Sequence, residues 1–241
     1  MQFGLIGQSL KHSFSRDYFT RKFEKLGLDH SYRNFELAHI DEFPKLVQEK
    51  PGLRGLNVTI PYKQQIIPFL SGLSPESEAI GAVNTVLIQK GEYRGFNTDA
   101  YGFEKSLIPL LQAHHSKALI LGTGGASLAV AHVLQKLGIS FVKVSRQPTS
   151  REVDYSKASQ LTNQYFVIIN ATPLGTFPHV TQQPPLDMKG INGKHLCYDL
   201  IYNPAESQWL KEARQKGAIT KNGLEMLELQ AEKAWEIWNE S

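Results

Sequence analysis

The sequence predicts an α/β protein built as two successive units. Across residues 1–100, apolar runs with the two-residue period of strands alternate with helical segments in the order βαβαβ, a pattern that calls for a mainly parallel sheet. The pattern restarts at Ala118-Leu119-Ile120-Leu121, a fully apolar run of the kind that fills a central parallel strand, followed at once by glycines and a second helical stretch. A chain of 241 residues is long enough for two modest domains, each with its own core.

In the first unit, residues 3–6 form a strand closed by Gly7, and Arg16 to Leu26 a helix for which Ser15 is a suitable cap. Ser13 and Ser15 are two apart, so in an extended loop their hydroxyls point the same way and suit a ligand carboxylate. A strand at Tyr32–Leu37, a helix at Ile40–Glu49 and a turn at Pro51-Gly52 lead to Asn57-Val58-Thr59-Ile60-Pro61-Tyr62-Lys63. There Val58 and Ile60 are expected to bury on one side while Asn57, Thr59 and Pro61 alternate to the other. Pro61 donates no N–H and ends the ladder, leaving Lys63 just beyond a strand end, where it is either a solvated lysine or part of a site.

Helical segments follow to about Leu70 and at Ser74–Ile80, then an extended run Gly81–Ile88 and, after a hairpin at Gly91, a strand at Tyr93–Phe96. Asn84 stands in that otherwise apolar run, where an unpaired amide would cost about 1–3 kcal/mol, so it needs a partner in the protein or a ligand. Asp99 precedes a helix at Tyr101–Gln112 and fits either an N-cap or a chemical role.

In the second unit the run to Leu121 enters Gly122-Thr123-Gly124-Gly125-Ala126-Ser127 and a helix at Leu128–Leu137. This is a G-x-G-x-x-S form of the dinucleotide-binding pattern of Rossmann-like domains. Gly122 allows the tight turn, Gly124 lets the backbone approach a pyrophosphate, and the helix starting near Gly125 offers its N–H groups to phosphate. The next strand, Phe141–Ser145, ends in Ser145-Arg146-Gln147 where an NAD site wants an acid. An arginine there favours NADP, because its planar donors match a 2′-phosphate. Buried strands follow at Phe166–Asn170, running into Ala171-Thr172-Pro173, and at Leu196–Leu200. The final helical segment starts at Asn222, with Glu225 placed to complete a capping box, and continues through Leu227, Gln230, Ala234 and Trp238. Gln230 is either a surface residue or a ligand contact. The chain has no internal repeat and no low-complexity tract.

Composition removes several classes. A net charge of +3, with 41% hydrophobic and 20% charged residues, gives no basic stripe for nucleic acid. A single cysteine, Cys197, excludes an internal disulfide and any multi-cysteine metal site, and its apolar neighbours suit a buried thiol. No apolar run approaches a membrane span, and the opening run Met1 to Gly7 is too short for a signal-peptide core. A cytoplasmic protein, monomer or homodimer, acting on a small molecule without metal, is the expectation.

Taken in order, Ser13-Phe14-Ser15, Asn57 through Lys63, Ala82-Val83-Asn84-Thr85, Asn97-Thr98-Asp99, Gly122 through Ser127, Asn170-Ala171-Thr172, Tyr198-Asp199 and Asn222-Gly223-Leu224 through Gln230 resemble the shikimate dehydrogenase family along nearly the whole chain. The resemblance implies a substrate domain of residues 1–100 plus 222–241, with the C-terminal helix returning to it, and a Rossmann-like NADP-binding domain of residues 101–221. It implies reversible hydride transfer between NADP(H) and one ring hydroxyl carbon, interconverting shikimate and 3-dehydroshikimate, with Lys63 and Asp99 as acid/base pair. Ser13 and Ser15 would hold the carboxylate and Asn57, Thr59, Lys63, Asn84, Asp99 and Gln230 the hydroxyls. Tyr198, in preference to Tyr202, would face the substrate. The cofactor would meet Gly122, Gly124, Gly125, Ala126, Ser145, Arg146, Thr172 and Gly223. The sequence departs from the family at Ser145-Arg146-Gln147 where Asn-Arg-Thr is frequent, at Glu225 and Ala100 where glycine is usual, and in its length, which suggests trimmed loops around residues 147–160. An NAD(P)-dependent quinate/shikimate dehydrogenase and a non-catalytic nucleotide-binding homologue are the rival readings. A folate-type dehydrogenase is disfavoured by the paired serines with Asn84 and Asp99.

Overall fold

The computed structural model describes residues 1–10 and 13–239, which divide into two compact units, residues 1–98 with the chain from Gln230 onward, and Asp99–Leu229. The first runs β1 (Gln2–Gly7), α1 (Phe14–Leu26), β2 (Ser31–Glu36), α2 (Phe43–Glu49), β3 (Leu53–Val58), α3 (Tyr62–Gln65), β4 (Gly72–Leu73), α4 (Pro75–Ile80), β5 (Thr85–Gln89) and β6 (Glu92–Phe96). Among the described residues these strands form one sheet in the order β2-β1-β3-β5-β6-β4. β1 pairs parallel with β2 and β3, while β5 meets β3 and β6 antiparallel, because the tight turn at Lys90-Gly91 reverses the chain. β6 therefore runs in the direction of β3, and the ends of β1, β3 and β6 and the start of β5 share one edge. The sheet buries both faces. Phe3, Leu5 and Leu87 pack on Phe19 and Phe23 of α1 and on Ala231, Ala234, Ile237 and Trp238 of the C-terminal helix. Ile6, Leu56, Val58 and Val86 pack on Phe43, Val47, Tyr62 and Ile66 from the opposite side.

Three local expectations are corrected. Ser13, not Ser15, caps α1, accepting from the Arg16 N–H at 3.2 Å, so Ser15 sits in the first helical turn and the two serines do not alternate along an extended loop. β3 stops at Val58: the Thr59 carbonyl accepts from the Tyr62 N–H at 2.9 Å, the Ile60-Pro61 peptide is cis, and Ile60, expected inside, is 73% exposed. Alternation predicts a side only while the backbone stays extended. Asn84 lies one residue before β5 rather than within a strand.

α5 (Thr98–Leu107) leads into the second unit, so Asp99 falls in its first turn and not at its cap. β7 (Lys117–Leu121), α6 (Gly125–Lys136), β8 (Ser140–Val144), β9 (Glu152–Val153), α7 (Tyr155–Leu161), β10 (Val167–Asn170), β11 (Leu196–Asp199), α8 (Gln208–Gln215), β12 (Ile219–Lys221) and α9 (Leu224–Asn239) complete the chain. The described strands form an all-parallel sheet, β12-β11-β10-β7-β8-β9. Counted from β7 this is the doubly wound order 3-2-1-4-5-6, which puts a topological switch point between β7 and β10. One face buries Leu119, Leu121, Ile168 and Cys197 against Tyr155, Trp209, Leu210 and Ala213. Asn222 accepts from the Leu224 N–H at 3.2 Å, but Glu225 pairs with Lys221 instead of reaching back, so the expected capping box does not form.

Candidate active site

The shared edge of the first sheet gathers polar side chains out of an apolar setting. The register aligns Leu5, Asn57 and Thr85, with Phe96 beyond, so the last residue of β6 and the first of β5 stand beside Asn57. Asn57 is 4% exposed; its Oδ1 accepts from the Tyr32 hydroxyl at 2.7 Å, and its Nδ2 donates to the Asn84 carbonyl at 3.3 Å and to Thr85 Oγ1 at 3.2 Å. Asn84 Oδ1 accepts from the Thr98 N–H at 2.7 Å and from the Thr85 hydroxyl at 3.1 Å. The partner that Asn84 requires is thus protein, at least in part. Asn84 Nδ2 and the Thr98 hydroxyl both donate to Gln230 Oε1, at 3.4 and 3.3 Å, which makes Gln230 a buried member of this cluster and not a surface residue.

Lys63 lies half-buried on α3, whose backbone is tied to the approach to β5 by the Val83 N–H donating to the Lys63 carbonyl at 2.7 Å. The Thr59 N–H donates to the Ile6 carbonyl at 2.9 Å, and the Thr59 methyl lies where a Cβ on Gly7 would be, 2.6 Å away, so Gly7 must be glycine for Thr59 to sit there. Ser13 is buried and Ser15 half-buried at the start of α1. Asp99 is 8% exposed and directly follows Thr98.

In the second unit the C-terminal ends of β7, β8, β10 and β11 share an edge by parallel pairing. Gly122 leaves β7 at φ 104°, and a Cβ there would stand 2.9 Å from Thr172 Cγ2, so glycine is required by conformation and by space. Gly124 precedes α6 with open space where a Cβ would project, and Gly125 and Ala126 form the first helical turn. Buried Ser127 turns its hydroxyl back to the Gly124 carbonyl at 2.7 Å, which explains how serine occupies the third loop position. Ser145 Oγ accepts from the Gln147 N–H at 3.2 Å; burial raises the Tyr155 phenol's pKa, and exposed Arg146 is near enough to oppose part of the rise. These residues fit a phosphorylated dinucleotide: glycines that admit its backbone, helix N–H groups, and a guanidinium after the second strand.

Across the switch point a buried carboxylate organises the loops. Asp199 accepts from Asn170 Nδ2 and the Ile201 N–H, both at 3.0 Å, and from the Ser207 hydroxyl at 2.5 Å. Asn170 Oδ1 in turn accepts from the Thr172 N–H at 3.0 Å and the Thr172 hydroxyl at 2.7 Å. Burial lifts the Asp199 carboxyl to about 6 despite these three donors. Gly223 donates to the Ile201 carbonyl at 2.9 Å, and a Cβ on it would stand 2.1 Å from the Leu200 carbonyl oxygen. Tyr198 has no exposed surface: it packs edge-on against Phe103, and its hydroxyl is 2.6 Å from Ser106 Oγ. Tyr202, half-buried, follows Asp199 beyond the strand end. Cys197 is fully buried, its thiol pushed up to about 12 by burial. Sequence reasoning passed over Tyr32, Thr85, Thr98 and Ser207; the signal available for Thr85 and Thr98 was their place beside Asn84 and Asp99.

Residues 5–86 match the family model of the shikimate dehydrogenase substrate binding domain. The chain is 36% identical over 253 residues to the NADP(+) shikimate dehydrogenase of Carboxydothermus hydrogenoformans, covering 98% of this chain and 90% of that protein. Its fold matches a chorismate mutase/shikimate 5-dehydrogenase fusion protein from Clostridium acetobutylicum with a TM-score of 0.90 at 36% identity, over 99% of this chain and 90% of that one. It matches the shikimate 5-dehydrogenase of Thermus thermophilus in complex with NADP(H) and shikimate with a TM-score of 0.87 at 32% identity, over 99% and 93% of the two chains. With relatedness of this extent over almost every residue, the chain belongs to the shikimate dehydrogenase family.

Proposed function

We propose that this protein interconverts 3-dehydroshikimate and shikimate with NADP(H), in the biosynthesis of aromatic amino acids through chorismate. The observation that carries the reading is the buried array of amides and hydroxyls, Asn57, Thr85, Asn84, Thr98 and Gln230, at the sheet edge that also bears Lys63. Neutral donors and acceptors held in one arrangement are what recognition of a polyhydroxylated ring requires. Relatives that carry this activity in their names, and one crystallised with NADP(H) and shikimate, support the assignment.

In this reading the first unit binds the substrate and the second the cofactor. Ser13 and Ser15 hold the carboxylate; Asn57, Thr59, Lys63, Asn84, Asp99 and Gln230 hold the hydroxyls. Tyr202 replaces Tyr198 as the aromatic contact, because the latter is enclosed in its own unit and bonded to Ser106. Gly122, Gly124, Gly125, Ala126, Ser145, Arg146, Thr172 and Gly223 hold NADP, which when bound supplies the hydride acceptor. The chain's own task is the proton. The reacting hydroxyl must lose it as its carbon is oxidised, and Lys63 takes it, with Asp99 favouring the ammonium that returns it in the reducing direction. The reading takes the enzyme as cytoplasmic and as a monomer or homodimer; no helix among the described residues is long and apolar enough to cross a membrane. The test mixes purified protein with NADPH and 3-dehydroshikimate and follows cofactor absorbance. Oxidation that needs both substrates is expected; none under any condition sinks the assignment.

A further inference from the structure

The hydrogen bonds of the first unit have a direction, and it begins at a residue with no assigned role. Asn57 Nδ2 faces the Asn84 carbonyl at 3.3 Å, an atom that can only accept, so the amide cannot be turned over. Asn57 Oδ1 therefore faces Tyr32, and at 2.7 Å the phenol must be the donor. Thr85 Oγ1 accepts from Asn57 Nδ2 at 3.2 Å, leaving its one proton for Asn84 Oδ1 at 3.1 Å. That oxygen is identified independently by the Thr98 N–H, which donates to it at 2.7 Å. Asn84 Nδ2 donates to the Thr98 hydroxyl at 3.0 Å and to Gln230 Oε1 at 3.4 Å, and the Thr98 hydroxyl stands 3.3 Å from the same oxygen, so the end of Gln230 turned away from the row is its NH2. The Asn57 and Asn84 amides are thus turned one way by backbone groups at Asn84 and Thr98, the Thr85 and Thr98 hydroxyls lie 3.2 Å apart and both reach Asn84 Oδ1, and the donor at the far end of the row is Tyr32. Burial pushes the Tyr32 phenol well above its ordinary pKa, which keeps it a donor, and Ser15 is near enough to oppose part of that rise.

We propose that Tyr32 is a positioning residue for substrate recognition: its hydroxyl seats the Oδ1 end of the Asn57 amide and so sets where Asn57 and its neighbour Thr85 stand against the ring hydroxyls. The proposal rests on the shikimate reading above. Without the phenolic proton, Asn57 Oδ1 is a buried acceptor that has lost its donor; the Asn84 carbonyl keeps the amide from turning over, so the side chain shifts in place and carries Thr85 with it.

The test is steady-state kinetics and shikimate-binding calorimetry on wild type, Tyr32→Phe, Thr85→Val and the double variant. In Tyr32→Phe the KM and Kd for shikimate rise ~10-fold, the expected scale for one buried hydrogen bond, while KM for NADP stays put and kcat falls far less. The effect is flat over about pH 6–9, since the phenol does not titrate there. Thr85→Val breaks the same row one step on and gives a similar shikimate-specific rise, and the double variant is no worse than the worse single one. If Tyr32→Phe lowers the melting midpoint with both KM values unchanged, or raises both together, the phenol is merely structural and the proposal fails. Should Tyr32→Phe not fold, Thr85→Val decides by the same KM split. Wild type that does not oxidise shikimate with NADP takes down the functional reading and this proposal with it; an active wild type with an unaffected Tyr32→Phe takes down only the latter.

Discussion

At the scale of single residues, Lys63 carries the heaviest demand. It stands on a short helix just past the turn that ends β3, where its carbonyl accepts from the Val83 N–H at 2.7 Å. Truncation at Cβ removes the ammonium and leaves that backbone bond in place. Lys63→Ala is expected to lower kcat by about 10²–10⁴-fold, the range for a lost general acid/base, with much smaller changes in either KM. Steady-state rates in both directions check this, and normal turnover would remove Lys63 from the mechanism. How such residues were read from sequence differs by type. Asn84 stands out in the sequence as an amide in an apolar run that needs a partner, whereas Gln230, interrupting an apolar helical face, reads equally as surface or as ligand contact. Tyr32 does not stand out, because an aromatic residue on a strand reads as core and only the register that brings β2, β1 and β3 side by side reveals its hydroxyl's partner.

At the scale of elements, the apolar runs that became β7, β10 and β11 were plain, since strands buried on both faces must be apolar throughout. β4, β9 and β12 are two or three residues long, too short to show a period. α8 is absent from the sequence reading although Ser207 before Trp209, Leu210 and Ala213 is the signature of a capped amphipathic helix. The C-terminal helix shows what one element contributes to a core. Trp238 stacks on Phe3 with ring centroids 5.0 Å apart, donates to the Val86 carbonyl at 3.0 Å, and lies 2.3 Å from where a Cβ on Gly55 would be. Trp238→Ala leaves a cavity and removes the indole's bond to the Val86 carbonyl, and is expected to cost about 3–5 kcal/mol in urea unfolding. Gly55→Ala, which drives a methyl into the indole, should destabilise as well; a loss under about 1 kcal/mol in both would mean the helix end does not hold the sheet.

At the scale of the whole molecule, the second unit carries buried titratable groups of opposite sign, and their balance sets how stability responds to acid. His115 Nδ1 accepts from the Gln112 N–H at 3.0 Å and its Nε2 donates to the Lys194 carbonyl at 3.0 Å; His195 is held the same way between the Asn192 N–H at 3.1 Å and the Thr162 carbonyl at 2.8 Å. Both rings are therefore neutral in the fold, and burial lowers both pKa values. Below about pH 6.5 the unfolded chain takes up these protons first, so stability falls as pH drops. Asp199 works the other way. Its folded value of about 6 stands above the ordinary 3.8, so between those limits the folded state binds the proton first and stability rises as pH drops. The two effects oppose each other over an overlapping window. Asp199→Asn keeps an oxygen to accept from Asn170 and Ile201 and removes the titration, leaving the histidines unopposed. The free energy of unfolding, measured in urea from about pH 7 to pH 4.5, should therefore fall more steeply in the variant than in wild type, by up to roughly 1.4 kcal/mol per pH unit for the one proton removed. It is the slope that matters, since the substitution also changes the level. Parallel curves would mean that Asp199 titrates as an ordinary carboxyl, and that the bonds tying Asn170, Thr172 and Ser207 together hold a charge throughout.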